Sequence, residues 1–105
     1  MGHTVTEKIL ADHAGLEEVH PGQFVDVPVD LVLSNDITAP LAIREFEKLG
    51  VERVFDPARV VIVADHFVPN KDIPSAQQSL MIRQFAHAQK LVHYYDVGRM
   101  GIEHV

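Results

Sequence analysis

Three apolar runs punctuate the chain, and a stretch with helical spacing precedes each of them. Residues 4–15, TVTEKILADHAG, read as a helix: Thr4 and Glu7 fit a capping box, and Gly15 fits a left-handed stop. After the HPG turn at 20–22, residues 23–36, QFVDVPVDLVLSND, are strand-like. Val25, Val27 and Val29 alternate there with Asp26, Pro28 and Asp30, the pattern of a half-exposed edge interrupted by proline. Residues 38–50, TAPLAIREFEKLG, return to helical spacing, with Thr38 as N-cap, Ala42, Phe46 and Leu49 on one face, and Gly50 as the stop. DPARVVIVAD is a turn followed by a buried strand. IPSAQQSLMIRQFAHAQKL is a longer helix, capped by Ser75, with Met81, Phe85 and Ala88 as its apolar stripe. VHYYDV is a third strand and runs into GRMGIEHV.

The order is therefore helix, strand, helix, strand, helix, strand. Such alternation predicts parallel pairing and an α/β fold of the three-layer α/β/α kind with a mostly parallel sheet. A strand as uniformly apolar as VVIVA is usually covered on both faces. Three helices are too few for that, so the layered domain is expected to be incomplete.

Parallel α/β sheets bind ligands just beyond the carboxyl ends of their strands. All three apolar runs end in polar residues there: Asn35 and Asp36, then Asp65 and His66, then the DVGRMGIEH stretch with Arg99 and His104. A histidine beside a carboxylate suits proton transfer near neutral pH. Two histidines with an aspartate would equally suit a divalent metal. The plain alternative is a pair that caps a helix or fixes a loop. Gly98 and Gly101 flank two residues, which is weak as a phosphate-loop signal and reads as a turn. His3, His13, His20, His87 and His93 read as solvated or packed.

Composition narrows these options. At 105 residues the chain is one small domain's worth of sequence. A net charge of -6, with nine Lys and Arg among fifteen carboxylates, shows no basic patch and argues against nucleic acid. The absence of cysteine removes disulfides, thiolate nucleophiles and cysteine-held clusters from what this chain does alone. No secretory leader and no apolar run of membrane-spanning length is visible, so a cytoplasmic protein without a membrane partner is expected.

Several strings in their order along the chain, NDITAPLAI, VVIVADHFVPNKDI and GRMGIEHV, together with TEKIL and PGQFVDVPVDL, resemble the N-terminal part of aconitase-superfamily large subunits. The likeness covers essentially the whole chain and is nearest to the 3-isopropylmalate dehydratase and homoaconitase branch. It implies a hydro-lyase that moves a hydroxyl between adjacent carbons by dehydration and rehydration, with a [4Fe–4S] cluster as Lewis acid and a serine base from a separate domain or small subunit. It implies that Asp65 and His66 help protonate the leaving hydroxyl. It places the histidine of the family's G-x-x-H element on His104, the third catalytic candidate, and a substrate-contacting polar position on Asn35; Arg99 joins Asn35 as a substrate-binding candidate. The substrate implied is a hydroxy di- or tricarboxylate.

The chain departs from the family in length and in lacking the cluster cysteines, so it reads as a truncated piece of such a subunit. It is expected to carry acid machinery, no cluster and no activity by itself, with the dehydratase small subunit as the parent's partner. Uncovered apolar strand surface and unpaired sheet edges also predict self-association into a homo-oligomer. Two further readings stay open: a non-catalytic assembly module, and an unrelated metal enzyme built on Asp65, His66 and His104.

Overall fold

The structure is a computed structural model and describes residues 2–105. Its elements are α1 (Val5–Ala14), β1 (Val32–Asn35), α2 (Thr38–Lys48), β2 (Val60–Val63), α3 (Ile73–Ala88) and β3 (His93–Tyr95). The alternation expected from the hydrophobic pattern is present. The chain separates into two compact units, Met1–Asp30 and Leu31–Val105.

The first unit is organised around α1. The Thr4 hydroxyl accepts the Glu7 N–H at 3.2 Å, and the Glu7 carboxylate accepts the Thr4 N–H at 2.7 Å. Gly15 ends the helix at φ 68, where its N–H reaches back to Ala11 and Asp12 carbonyls. Capping box and left-handed stop are those the sequence predicts. The strand expected over 23–31 is absent: this segment has no ladder partner, and only Val32–Asn35 pairs. Pro28 removes a backbone donor from the middle of the segment, which keeps it out of a ladder.

The second unit holds a three-stranded, wholly parallel sheet in the order β1-β2-β3. Val32 pairs with Val60, and Asn35 with Val63; Val61 pairs with His93, and Val63 with Tyr95. Each crossover moves to the next strand in the same direction, so right-handed connections place both crossover helices on one face. The core agrees. Ala39 and Ile43 from α2 and Ile82 from α3 pack with Val60, Ile62 and Ala64. Phe46 and Phe85 meet edge to face at 5.7 Å between the two helices. Of the α/β/α layers expected, this unit shows the sheet and one helical layer.

Three local expectations need correction. Thr38 is the first residue of α2 rather than its cap, and the Asn35 side chain performs the capping from the strand end. Asp72, not Ser75, caps α3; Ser75 is the other half of that capping box. Lys71 beside Asp72, with the Ser75 N–H and hydroxyl, holds the Asp72 pKa down to about 2. The buried stripe of α3 is Ser75, Ser79, Ile82 and Ala86, while Ala88 is exposed. On α2 the buried positions are Ala39, Pro40 and Ile43, while Ala42 and Leu49 are exposed. Small residues let both helices lie close to the sheet, and apolar periodicity alone picked the neighbouring rows.

Candidate functional site

The carboxyl ends of β1 and β2 place three polar side chains together. Ligand atoms of Asp36, Asp65 and His66 lie within 4.8 Å of one another. Asp36 is the residue that follows β1, and it is fully buried. One of its oxygens, Oδ1, accepts the His66 N–H at 3.1 Å, and the other, Oδ2, accepts the Phe67 N–H at 2.7 Å. Asp65 and His66 follow β2. His66 Nδ1 donates to Asp65 Oδ1 at 2.6 Å and lies 3.5 Å from Asp36 Oδ1. The second Asp65 oxygen accepts the Glu103 N–H at 2.7 Å, which ties the C-terminal segment to the same rim.

This arrangement fixes the ring. A carboxylate only accepts, so Nδ1 must carry a proton and Nε2 is left to exchange one. No hydrogen bond engages Nε2 among the described residues, and the His66 side chain is 36% exposed. The hydrogen bond to Asp65 raises the His66 pKa against the opposing effect of burial, helped by the charges of Asp65, Asp36 and Glu103. Burial works to raise the Asp65 pKa, but the Glu103 N–H and the His66 ring outweigh it and hold it below the ordinary carboxylate value.

The donor geometry fits a proton-handling group better than a metal cradle. Both oxygens of Asp36 are committed to backbone N–H groups, and those of Asp65 to His66 and Glu103. A cation would have to displace these bonds.

The other candidates take different places. Asn35 is 9% exposed, and its Oδ1 accepts the Ile37 and Thr38 N–H groups at 2.9 and 3.0 Å and the Thr38 hydroxyl at 3.2 Å. Its carbonyl oxygen is thus spent on starting α2. His104 follows Glu103 at the rim, yet its side chain is 74% exposed and its partner is the Glu103 carboxylate at 3.5 Å. Arg99 sits exposed in the turn after β3, held by its N–H to the Asp96 carbonyl. The structure therefore joins Asp65 and His66, and among the described residues no hydrogen bond or ion pair links the His104 or Arg99 side chain to them. From the sequence, Asp36 reads only as part of a polar strand end, with no role of its own. Its signal was present, since it stands beside Asn35 at the same strand end.

The loop that carries His66 is also tied to α3. The Asn70 amide donates to the Phe67 carbonyl at 2.7 Å, to the Ser75 carbonyl at 3.3 Å and to the buried Ser79 hydroxyl at 2.8 Å. The two serines on the buried face of α3 thus have polar work.

No family model matches the chain. Curated relatives do. The 3-isopropylmalate dehydratase large subunit of Moorella thermoacetica is 65% identical over 104 residues, covering 99% of this chain and 25% of that protein. Those of Thermodesulfovibrio yellowstonii and Clostridioides difficile are each 59% identical, over 99% and 100% of this chain and again 25% of theirs. Over nearly its whole length the chain is similar to part of proteins named 3-isopropylmalate dehydratase large subunit. It spans about a quarter (25%) of the length of the curated relatives it matches. This stretch contains no cysteine. Among the described residues, no helix is long and apolar enough to cross a membrane.

Proposed function

We propose that this chain supplies the acid side of a 3-isopropylmalate dehydratase large subunit, with His66 as the proton donor. The observation that carries the reading is the 2.6 Å bond from His66 Nδ1 to Asp65, which leaves Nε2 open at the strand ends. The whole enzyme converts 2-isopropylmalate to 3-isopropylmalate by elimination and readdition of water, a step of leucine biosynthesis. In the elimination, the imidazolium gives its Nε2 proton to the departing hydroxyl, which leaves as water. The ring becomes neutral with Nδ1–H still on Asp65. In the readdition, Nε2 takes a proton from the water as its oxygen bonds to the adjacent carbon. The carbon-bound proton is removed and returned by a base outside this chain.

Asn35 and Arg99 are the proposed substrate contacts, and His104 is a further proposed catalytic histidine. The family likeness supports these roles rather than side-chain geometry, which spends the Asn35 carbonyl on α2 and sets His104 against Glu103. With no cysteine here to hold a cluster, its Lewis-acid chemistry is proposed to be supplied by other parts of the enzyme. The chain alone is accordingly proposed to be inactive, and a small subunit is the proposed partner. The test is the full-length large subunit assembled with its small subunit and assayed on both 2-isopropylmalate and homoaconitate. Turnover of isopropylmalate that depends on His66 is expected. Preference for homoaconitate, or full activity in His66→Gln, would overturn the reading.

A further inference from the structure

Asp36 lies where no catalytic carboxylate would be useful. It is fully buried and cannot reach a substrate, yet it spans two elements that are far apart in sequence. Its two oxygens hold consecutive N–H groups, those of His66 and Phe67, so the backbone carrying the histidine is fixed at two adjacent points. The oxygen that holds the His66 N–H is also the one 3.5 Å from His66 Nδ1. A single buried carboxylate therefore sets both the position of the loop and the field at the ring.

We infer that Asp36 is a positioning residue for His66, acting with Asp65 as a two-carboxylate clamp on Nδ1 that leaves Nε2 as the working nitrogen. This rests on the proposed role of His66 and extends it to a residue that never meets the substrate. Division of labour follows from burial. Asp65, which also holds the Glu103 N–H, provides the hydrogen bond to the ring. Asp36, wholly removed from water, provides charge that solvent screens poorly and a backbone anchor that Asp65 cannot give. The charged groups facing His66 are then Asp36 from the end of β1, Asp65 from the end of β2 and Glu103 from the segment after β3. All three favour the protonated ring.

Asparagine in place of Asp36 keeps the size but removes the charge and one acceptor. Its amide group would turn a donor toward one of the two N–H groups. The experiment is a pH titration of the histidine ring nitrogens by NMR in the 15N-labelled chain, unaltered and as Asp36→Asn, with the other histidines as internal references. The expected result is a lower titration midpoint for His66 in the variant, with the other histidines unmoved. An unchanged His66 midpoint in a folded Asp36→Asn chain would overturn the inference. Should that variant not fold, amide exchange in the unaltered chain decides. Strong protection of both the His66 and Phe67 amides supports the clamp, and open-peptide rates at either amide exclude it. Neither readout uses turnover. A failed clamp thus leaves the dehydratase reading standing, and a fully active His66→Gln enzyme would remove that reading while leaving the clamp intact.

Discussion

The chain contains two histidine–aspartate pairs that look alike in distance and differ in what they can do. In the first unit, His13 Nε2 lies 2.8 Å from Asp30 Oδ2, and its Nδ1 lies 3.0 Å from the Ile9 carbonyl. In the second unit, His66 Nδ1 lies 2.6 Å from Asp65, and Nε2 has no such partner among the described residues. Both partners of His13 only accept, so satisfying them requires a ring protonated on both nitrogens. The Asp30 hydrogen bond, then the Ile9 carbonyl, accordingly raise its pKa. That ring is closed to chemistry by its own hydrogen bonds. His66 has the same kind of carboxylate partner but one nitrogen left over, and a general acid needs that nitrogen. The number of occupied ring nitrogens, more than the length of either bond, separates the structural pair from the one proposed to work.

The comparison breaks most visibly in turnover. In the assembled full-length subunit, His66→Gln is expected to lower kcat by about 10²–10⁴-fold, the usual contribution of a positioned acid. His13→Gln should leave kcat unchanged, and steady-state assays of both variants check the contrast. Equal losses would mean that the open nitrogen is not what distinguishes the pairs. Next in size is the platform beneath the rim. Ile82 is fully buried against Ile62 and Ala64, so Ile82→Ala is expected to cost about 2–5 kcal/mol of unfolding free energy in denaturant titrations. Smaller again is the helix that carries His13. Thr4→Ala removes half of its capping box and should cost about 1 kcal/mol, read as reduced helicity and a lowered denaturation midpoint.

What could be read from sequence divides along a similar line. Local signals were legible: the Thr4–Glu7 box, the Gly15 stop and the parallel strand order follow from residue type and spacing over a few positions. The meeting of Asp65 with His66 was legible too, because the second apolar run ends in those two polar residues. The errors came where a distant partner decides. Asn35 rather than Thr38 starts α2, since a residue at the strand end folds back over the first turn. Serines took buried positions on α3 because the Asn70 amide and the Asp72 cap satisfy their hydroxyls. Asp36 was seen at a strand end but given no role, for the same reason. Its role depends on backbone donors thirty and more residues away, which spacing along the chain cannot display.

The two pairs should also part company with pH, and this is the smallest effect expected. The folded pKa of His13 is raised above the unfolded value of about 6.5, so its contribution to stability is complete below that value. It is lost as pH rises through the raised folded value. His66 behaves in the same way on the alkaline side. The rim pair has an acid limit as well, because Asp65 is depressed: its stabilisation is present above the unfolded carboxylate value of about 3.9 and fades as pH falls through the folded one. Solvent screens the exposed Asp30, so the first pair should contribute little at high salt. Unfolding free energy measured from acid to mildly alkaline pH, in the unaltered chain and in Asp30→Asn and Asp65→Asn, checks this. Asp30→Asn should remove part of the decline above neutrality and leave the acid limb alone. Asp65→Asn should flatten both limbs. Curves for Asp65→Asn that match those of the unaltered chain on the acid side would show that the rim carboxylate is not engaged as its geometry indicates.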